Sequence, residues 1–231
     1  MYSLVKNFRG FTLVELLVVI AVMGVMMGML GFSILGGSAD IHSGQRQVLS
    51  MLQQARASAM ATGRESRLIV NSDSSNAEKY LRFIGVVVQD HNSTLKWKVI
   101  DDGKYLPDGL WFVVNENADI DSSDWMSDAY SRWSKDGEAA SFSLGPVDNK
   151  GLRQDGGQGE NFYFIGFNPS GTVISADYPK MPRLVLSPGD IRPTGVGLVP
   201  FFKNPTEIAG IDFRPFGGMV CIDFNDFSKE N

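Results

Sequence analysis

"RGFTLVELLVVIAVMG", Arg9 to Gly24, places one acid, Glu15, near the start of a run that is otherwise apolar. The run goes on: from Leu16 to Leu35 there is no charged residue. Those 20 residues, at about 1.5 Å per residue, make a helix of roughly 30 Å, the thickness of a bilayer core. No later segment has this character, so a single span is expected. Lys6 and Arg9 precede it, and the first ten residues contain no acid. The positive-inside rule therefore keeps the N-terminus in the cytoplasm and puts everything after Leu35 across the membrane.

Three readings fit this N-terminus. A secretory signal cleaved after Ala39 would use the small residues of "GGSAD", but its apolar region should be about 7–15 residues. A plain signal anchor fits the length and the charge bias and leaves Glu15 without a role. In the third reading the chain is cut between Gly10 and Phe11. A short basic leader ending in Gly10, then Phe11, Thr12, Leu13 and Glu15, then the apolar run, resembles the precursors of type IV pilins and pseudopilins. The resemblance implies a prepilin peptidase that cleaves after Gly10 and N-methylates Phe11, so that Glu15 becomes the fifth residue of the mature chain. It also implies a partner for the carboxylate, the α-ammonium of Phe11 on a neighbouring subunit. A charge in hydrocarbon costs about 2.5–3.5 kcal/mol on insertion scales. A pair held in a low dielectric is geometrically demanding, so it would fix one axial stagger between adjacent helices.

Gly24 and Gly28 form a G-x-x-x-G pair. Such spacing lets membrane helices approach closely, although glycine is also common in membrane spans generally.

Beyond the span, Gly36, Gly37 and Gly44 are poor helix formers and mark where the helix is expected to bend or melt. It recovers in "VLSMLQQARASAMAT", where Val48, Leu52, Ala55 and Ala59 make one apolar stripe. Arg46, Gln53, Gln54 and Arg56 fall on other faces. Gly63 is placed to cap the C-terminus. One long helix from about Phe11 to Thr62 is expected, with its first half in membrane or filament core.

From Arg64 the pattern changes. "SRLIV", "YLRFIGVVV", "LKWKVI", "GLWFVV", "NFYFIGFN", "RLVLS" and "GMVCIDF" read as strands. "PDG", "NPSG", "SPGD", "RPTG" and "RPFGG" read as turns. The expected fold class is α+β: a long N-terminal helix packed on an antiparallel β-sandwich-like domain. The expected organisation is a leader at 1–10, a membrane or filament-core half-helix at 11–35, an amphipathic half-helix at 36–63, and a periplasmic β-rich domain at 64–231. "SMLQQARASAMATGRESRLIV" and "FIGFNPSGTV" resemble segments of H-type minor pseudopilins of type II secretion and of FimT-type minor pilins. In those families such a protein is a low-abundance subunit near the filament tip.

Charge argues against one class of partner. Setting aside Lys6, Arg9 and Glu15 leaves 19 basic and 25 acidic residues, a net charge of −6 after Leu35. A negative domain repels phosphate backbones, so nucleic acid is a poor partner. Asp119, Asp121 and Asp124 cluster in "DIDSSDWMSD" and are weak candidates for calcium. An EF-hand loop starting at Asp119 fails, because Asp124 and Tyr130 stand where glycine and glutamate are required. Trp125 and Trp133 are expected to anchor that loop to the sheet. Neither His42 nor His91 has nucleophile or metal-ligand spacing around it. "DGGQGEN" does not match a phosphate-binding pattern and is expected to be a loop. Cys221, the lone cysteine, is expected to be a small buried hydrophobe on a strand.

Taken together, these readings predict a non-enzymatic filament subunit with no cofactor. Its partners would be other pilin or pseudopilin subunits, prepilin peptidase, an inner-membrane assembly platform, and membrane lipid before assembly. Two alternatives stand beside it. A DNA-uptake minor pilin would need a basic exposed strip. A membrane-tethered periplasmic enzyme would show no processing at Gly10 and would tolerate Glu15→Ala.

Overall fold

A computed structural model of the chain describes residues 13–34, 36–91, 97–114, 129–134, 140–141, 161–175, 181–195, 197–202, 204 and 206–227, with side-chain surroundings described outside 24–40 and 140–141. It divides into two compact units, Met1–Ala39 and Asp40–Asn231.

The first unit holds α1, Leu13–Ile34. The next helix, α2, spans Gly36–Thr62. The expected single helix is thus described as two, with residue 35 outside the described residues. Gly36, Gly37 and Gly44 all lie inside α2, so the expected melting does not occur at them. At Gly44 the reason is packing. A Cβ there would run into the Cδ2 of Leu110, so only glycine lets that side chain seat against the helix. The stripe is deeply buried: Val48, Leu52, Ala55 and Ala59 are each 0% exposed, and Ile41 and Met51 extend it. Gly63 takes φ +67°, the left-handed conformation of a helix C-cap, and the Arg64 N–H donates to Ala59 O at 3.2 Å.

The strands are β1 Ser66–Asn71, β2 Phe83–Gln89, β3 Trp97–Val99, β4 Lys104–Tyr105, β5 Leu110–Phe112, β6 Ala140–Ser141, β7 Asn161–Phe167, β8 Val173–Ile174, β9 Arg183–Thr194, β10 Gly197–Phe202, β11 Ala209–Phe213 and β12 Met219–Asp223. A short helix, α3, covers Phe224–Phe227. Among the described residues they form two antiparallel sheets. The first runs β3-β2-β1-β7-β6, with β4 on β2 and β8 on β7. The second runs β10-β9-β11-β12, with β5 on β9. The fold is α+β with antiparallel sheets.

The main core is shared by three partners rather than two. Leu52 and Ala55 of α2, Leu68 and Ile165 of the first sheet, and Leu184 and Ile211 of the second belong to one buried cluster. The first sheet is buried on its other face as well, by Ile69, Phe83, Val87, Trp97, Phe162 and Phe164. Burial on both faces explains why β1, β2 and β7 read as continuous apolar runs instead of alternating ones. Arg67 survives on that second face because its guanidinium lies 4.1 Å from the Trp97 ring and 4.0 Å from the Phe164 ring, with Glu65 Oε1 at 2.6 Å from Nε.

"SPGD", expected as a turn, lies inside β9. Pro188 and Gly189 mark a change of partner. Residues up to Pro188 face β11 and β5, and Gly189 to Thr194 pair with β10. The missing N–H of Pro188 falls at the changeover, and Gly189 donates to Gly109 O at 2.9 Å.

Candidate functional site

The N-terminal unit offers an apolar surface with one acid in it. Glu15 lies in the first turn of α1, where the helix dipole favours a negative charge. Leu13, Val14, Leu16, Leu17, Val18, Val19, Ile20, Val22 and Met23 are all exposed, at 43–83%. They face every direction around the helix. An apolar surface of this kind has its natural partner in lipid or in other apolar helices. Among the described residues no helix is long and apolar enough to cross a membrane. Side-chain surroundings in α1 are described only through Met23, and the span expected at Leu16–Leu35 extends past that point. Gly24 and Gly28 are helical, and their packing lies outside the described residues. Gly10 and Phe11 lie outside them too.

In the second unit, α2 is fastened to both sheets by polar side chains. Gln45 is only 6% exposed, and its Nε2 donates to Gly210 O at 2.7 Å and to Ile222 O at 3.1 Å. Arg56 donates from Nε to Gly171 O at 3.0 Å and from Nη2 to Phe216 O at 3.2 Å. The first carbonyl belongs to the "NPSG" turn of the first sheet, the second to the "RPFGG" turn of the second. Asn168 builds the first turn by accepting at Oδ1 from the N–H groups of Ser170 and Thr172, at 3.1 and 2.9 Å. One guanidinium therefore holds two turns from different sheets against the helix. The signal for Gln45 was present in the sequence, since it falls on the stripe between Ile41 and Val48 with spacings of four and three.

Gly217 sits where these turns meet. Its φ is +76°, and a Cβ there would strike the carbonyl oxygen of Gly171. Gly217→Ala is expected to destabilise the domain by about 2–4 kcal/mol, combining left-handed strain with displacement of the Arg56-held turn. Urea denaturation of the processed chain in detergent, followed by tryptophan fluorescence, checks this. An unchanged midpoint would contradict it.

Beside this junction lies an open groove of about 400 Å³ lined by Gln53, Arg56, Ala57, Met60 and Met219. Phe216, whose carbonyl accepts from Arg56, is 86% exposed.

The remaining candidates divide. Asp119, Asp121, Asp124 and Trp125 lie outside the described residues, as does most of "DGGQGEN". Among the described residues no three of His, Cys, Asp or Glu gather as a metal site. Trp133 stacks on Tyr163 with centroids 4.9 Å apart and is 7% exposed, so it is a core anchor. His42 Nδ1 lies 3.5 Å from Gln45 Oε1, and His91 contacts Arg64. Cys221 is on a strand as expected, yet it is exposed, not buried. The physical reason is its position on β12, the last strand of its sheet, with no further strand to cover it among the described residues.

A family model, the prokaryotic N-terminal methylation motif, matches residues 5–31. The matched stretch brackets Gly10, Phe11 and Glu15 and supports a type IV pilin-like chain that is processed by prepilin peptidase and assembles with other pilin subunits. No curated protein and no solved structure matches the chain significantly.

Proposed function

We propose that this chain is a minor pilin or pseudopilin, a structural subunit of a type II secretion or type IV pilus-like filament. One observation carries the reading. An acid stands in the first turn of a helix that is otherwise apolar on all sides, inside a matched methylation motif.

The mechanism follows from charge. Peptidase cleavage after Gly10 creates an α-ammonium at Phe11, and methylation leaves its charge in place. Glu15 of one subunit then neutralises Phe11 of the next, and neither charge stays alone in hydrocarbon. The pair sets the stagger, and the apolar faces supply the contact area. Before assembly the helix resides in the inner membrane with its N-terminus in the cytoplasm and the β-rich domain in the periplasm. In the assembled state residues 11–63 act as one long helix, and the two sheets form a sandwich-like domain that offers a surface to other subunits or to cargo. The H-type and FimT-type resemblances favour a low-abundance subunit near the tip.

Intact-mass measurement of the mature protein tests this. The expected mass begins at Phe11 and carries one extra methyl group. A chain still beginning at Met1 in a strain with active peptidase would overturn the reading.

A further inference from the structure

The second unit has two unlike ends. Along α2, Gln45 and Arg56 stand eleven residues apart, about 16 Å at 1.5 Å per residue. Strand β12 runs beside the helix in the opposite sense, because Arg56 holds Phe216 just before the strand and Gln45 holds Ile222 near its close.

At the Arg56 end the surface is apolar and basic. Phe216 is 86% exposed and Met60 55%. The turn that carries Phe216 is tightly bonded: Arg214 N–H donates to Gly218 O at 2.8 Å, Gly217 N–H donates to Arg214 O at 2.9 Å, and Arg56 holds the Phe216 carbonyl. An aromatic side chain presented to water on such a turn is already ordered for a contact, so docking costs little further entropy. Arg56 is the one charged residue lining the groove, and the exposed Arg214 stands beside Gly218. Among the described residues no acid pairs with either arginine.

At the Gln45 end β12 runs into α3, and Asp223 is exposed there. Its N–H donates to Asp226 Oδ2 at 3.2 Å, so its backbone is closed to an added strand. Its Oδ1 accepts from the Asn225 N–H at 3.0 Å, and no base among the described residues pairs with the carboxylate. The side chain can still accept at Oδ2.

We propose that the Arg56 end of one copy docks on the α3 end of a second copy, head to tail, with both copies pointing the same way. Asp223 of one copy meets Arg56 and Arg214 of the other, and Phe216 seats beside α3, where Phe224 is half-buried. The contact is heterologous: each copy uses a different surface toward each neighbour, so the row stays open and keeps one direction. That shared direction is the one the proposed filament gives every copy, and the proposal rests on that reading for it. Copies of a low-abundance subunit then stand next to one another instead of being scattered among other subunits.

Disulfide mapping of the full processed chain in detergent, in the Cys221→Ser background, tests the contact. Under mild copper oxidation, copies bearing Gln53→Cys mixed with copies bearing Asn225→Cys are expected to give a covalent dimer, and neither does so alone. Both cysteines in one chain give a ladder that runs past the dimer. Arg214→Glu in the copy carrying Gln53→Cys slows the mixed dimer about tenfold, Asp223→Lys in the other copy does the same, and the two together restore the rate to within about threefold. Glu15→Ala leaves the crosslink unchanged, which separates docking from helix association. The proposal fails if the mixed copies do not crosslink, if either variant crosslinks by itself, if the ladder stops at the dimer, if reversing both charges does not restore the rate, or if Glu15→Ala abolishes the crosslink. A retained crosslink in a chain whose mass still begins at Met1 overturns the filament reading and leaves the docking contact standing.

Discussion

Glu15→Ala is expected to lower incorporation of this chain into filaments at least tenfold, while cleavage after Gly10 and membrane insertion continue. The sign separates two explanations. Removing a carboxylate from an apolar helix relieves about 2.5–3.5 kcal/mol of insertion cost. If Glu15 acted only on membrane residence, the variant would accumulate more, not less. In the register reading the same change removes one partner of an ion pair worth about 4 kcal/mol at 4 Å in an effective dielectric near 20. It also leaves the Phe11 ammonium of the neighbour without compensation. A tenfold loss needs only about 1.4 kcal/mol of that. Comparing the protein in sheared filaments with that in membranes measures it. Equal incorporation of variant and wild type would end the assembly account. Glu15→Gln, which keeps the size and hydrogen-bonding reach, is expected to behave like alanine if charge is what matters.

Asp212→Ala is expected to destabilise the second unit by about 3–5 kcal/mol. Asp212 receives Arg183 in a two-point pair, Nε to Oδ1 at 2.5 Å and Nη2 to Oδ2 at 3.1 Å. The Arg183 side chain is only 3% exposed and that of Asp212 17%, so the pair is largely screened from water. The guanidinium also lies 5.1 Å from the ring of Phe227, in the short helix that closes the chain's described part. Removing the carboxylate takes the two-point counter-charge away from a buried cation beside a cluster that contains Val185, Ile208 and Phe227. Replacing both partners, as in Arg183→Met with Asp212→Leu, is expected to cost far less than the single change, because no charge remains to be desolvated. Chemical denaturation of the two variants in parallel checks the ordering. A double variant as unstable as the single would show that packing, not charge, governs this site.

The apolar stripe of α2 was legible in the sequence because a 3.6-residue period needs no knowledge of the partner. Val48, Leu52, Ala55 and Ala59 are all buried for that reason. Strands β1, β2, β7 and β12 were legible from their β-branched and aromatic runs. Strand β11, "AGIDF", was not, since its burial comes from sitting between β9 and β12, and a five-residue stretch beginning Ala-Gly carries little of its own strand signal. "SPGD" failed in the opposite direction. Pro and Gly signal a turn locally, but the sheet used the missing N–H and the small side chain to change partners within one strand.

The sequence by itself held every part of the proposed assembly device: a glycine, a phenylalanine, an acid four residues on and a long apolar run, all within one continuous stretch. It could do so because register, cleavage and insertion read consecutive residues. Only the tertiary structure decided how α2 is held, with Gln45 and Arg56 donating to carbonyls more than 100 positions away. It alone put Cys221 in an exposed place on β12, the last strand of its sheet among the described residues, because a strand's place in its sheet depends on pairings between distant segments, which no local pattern records.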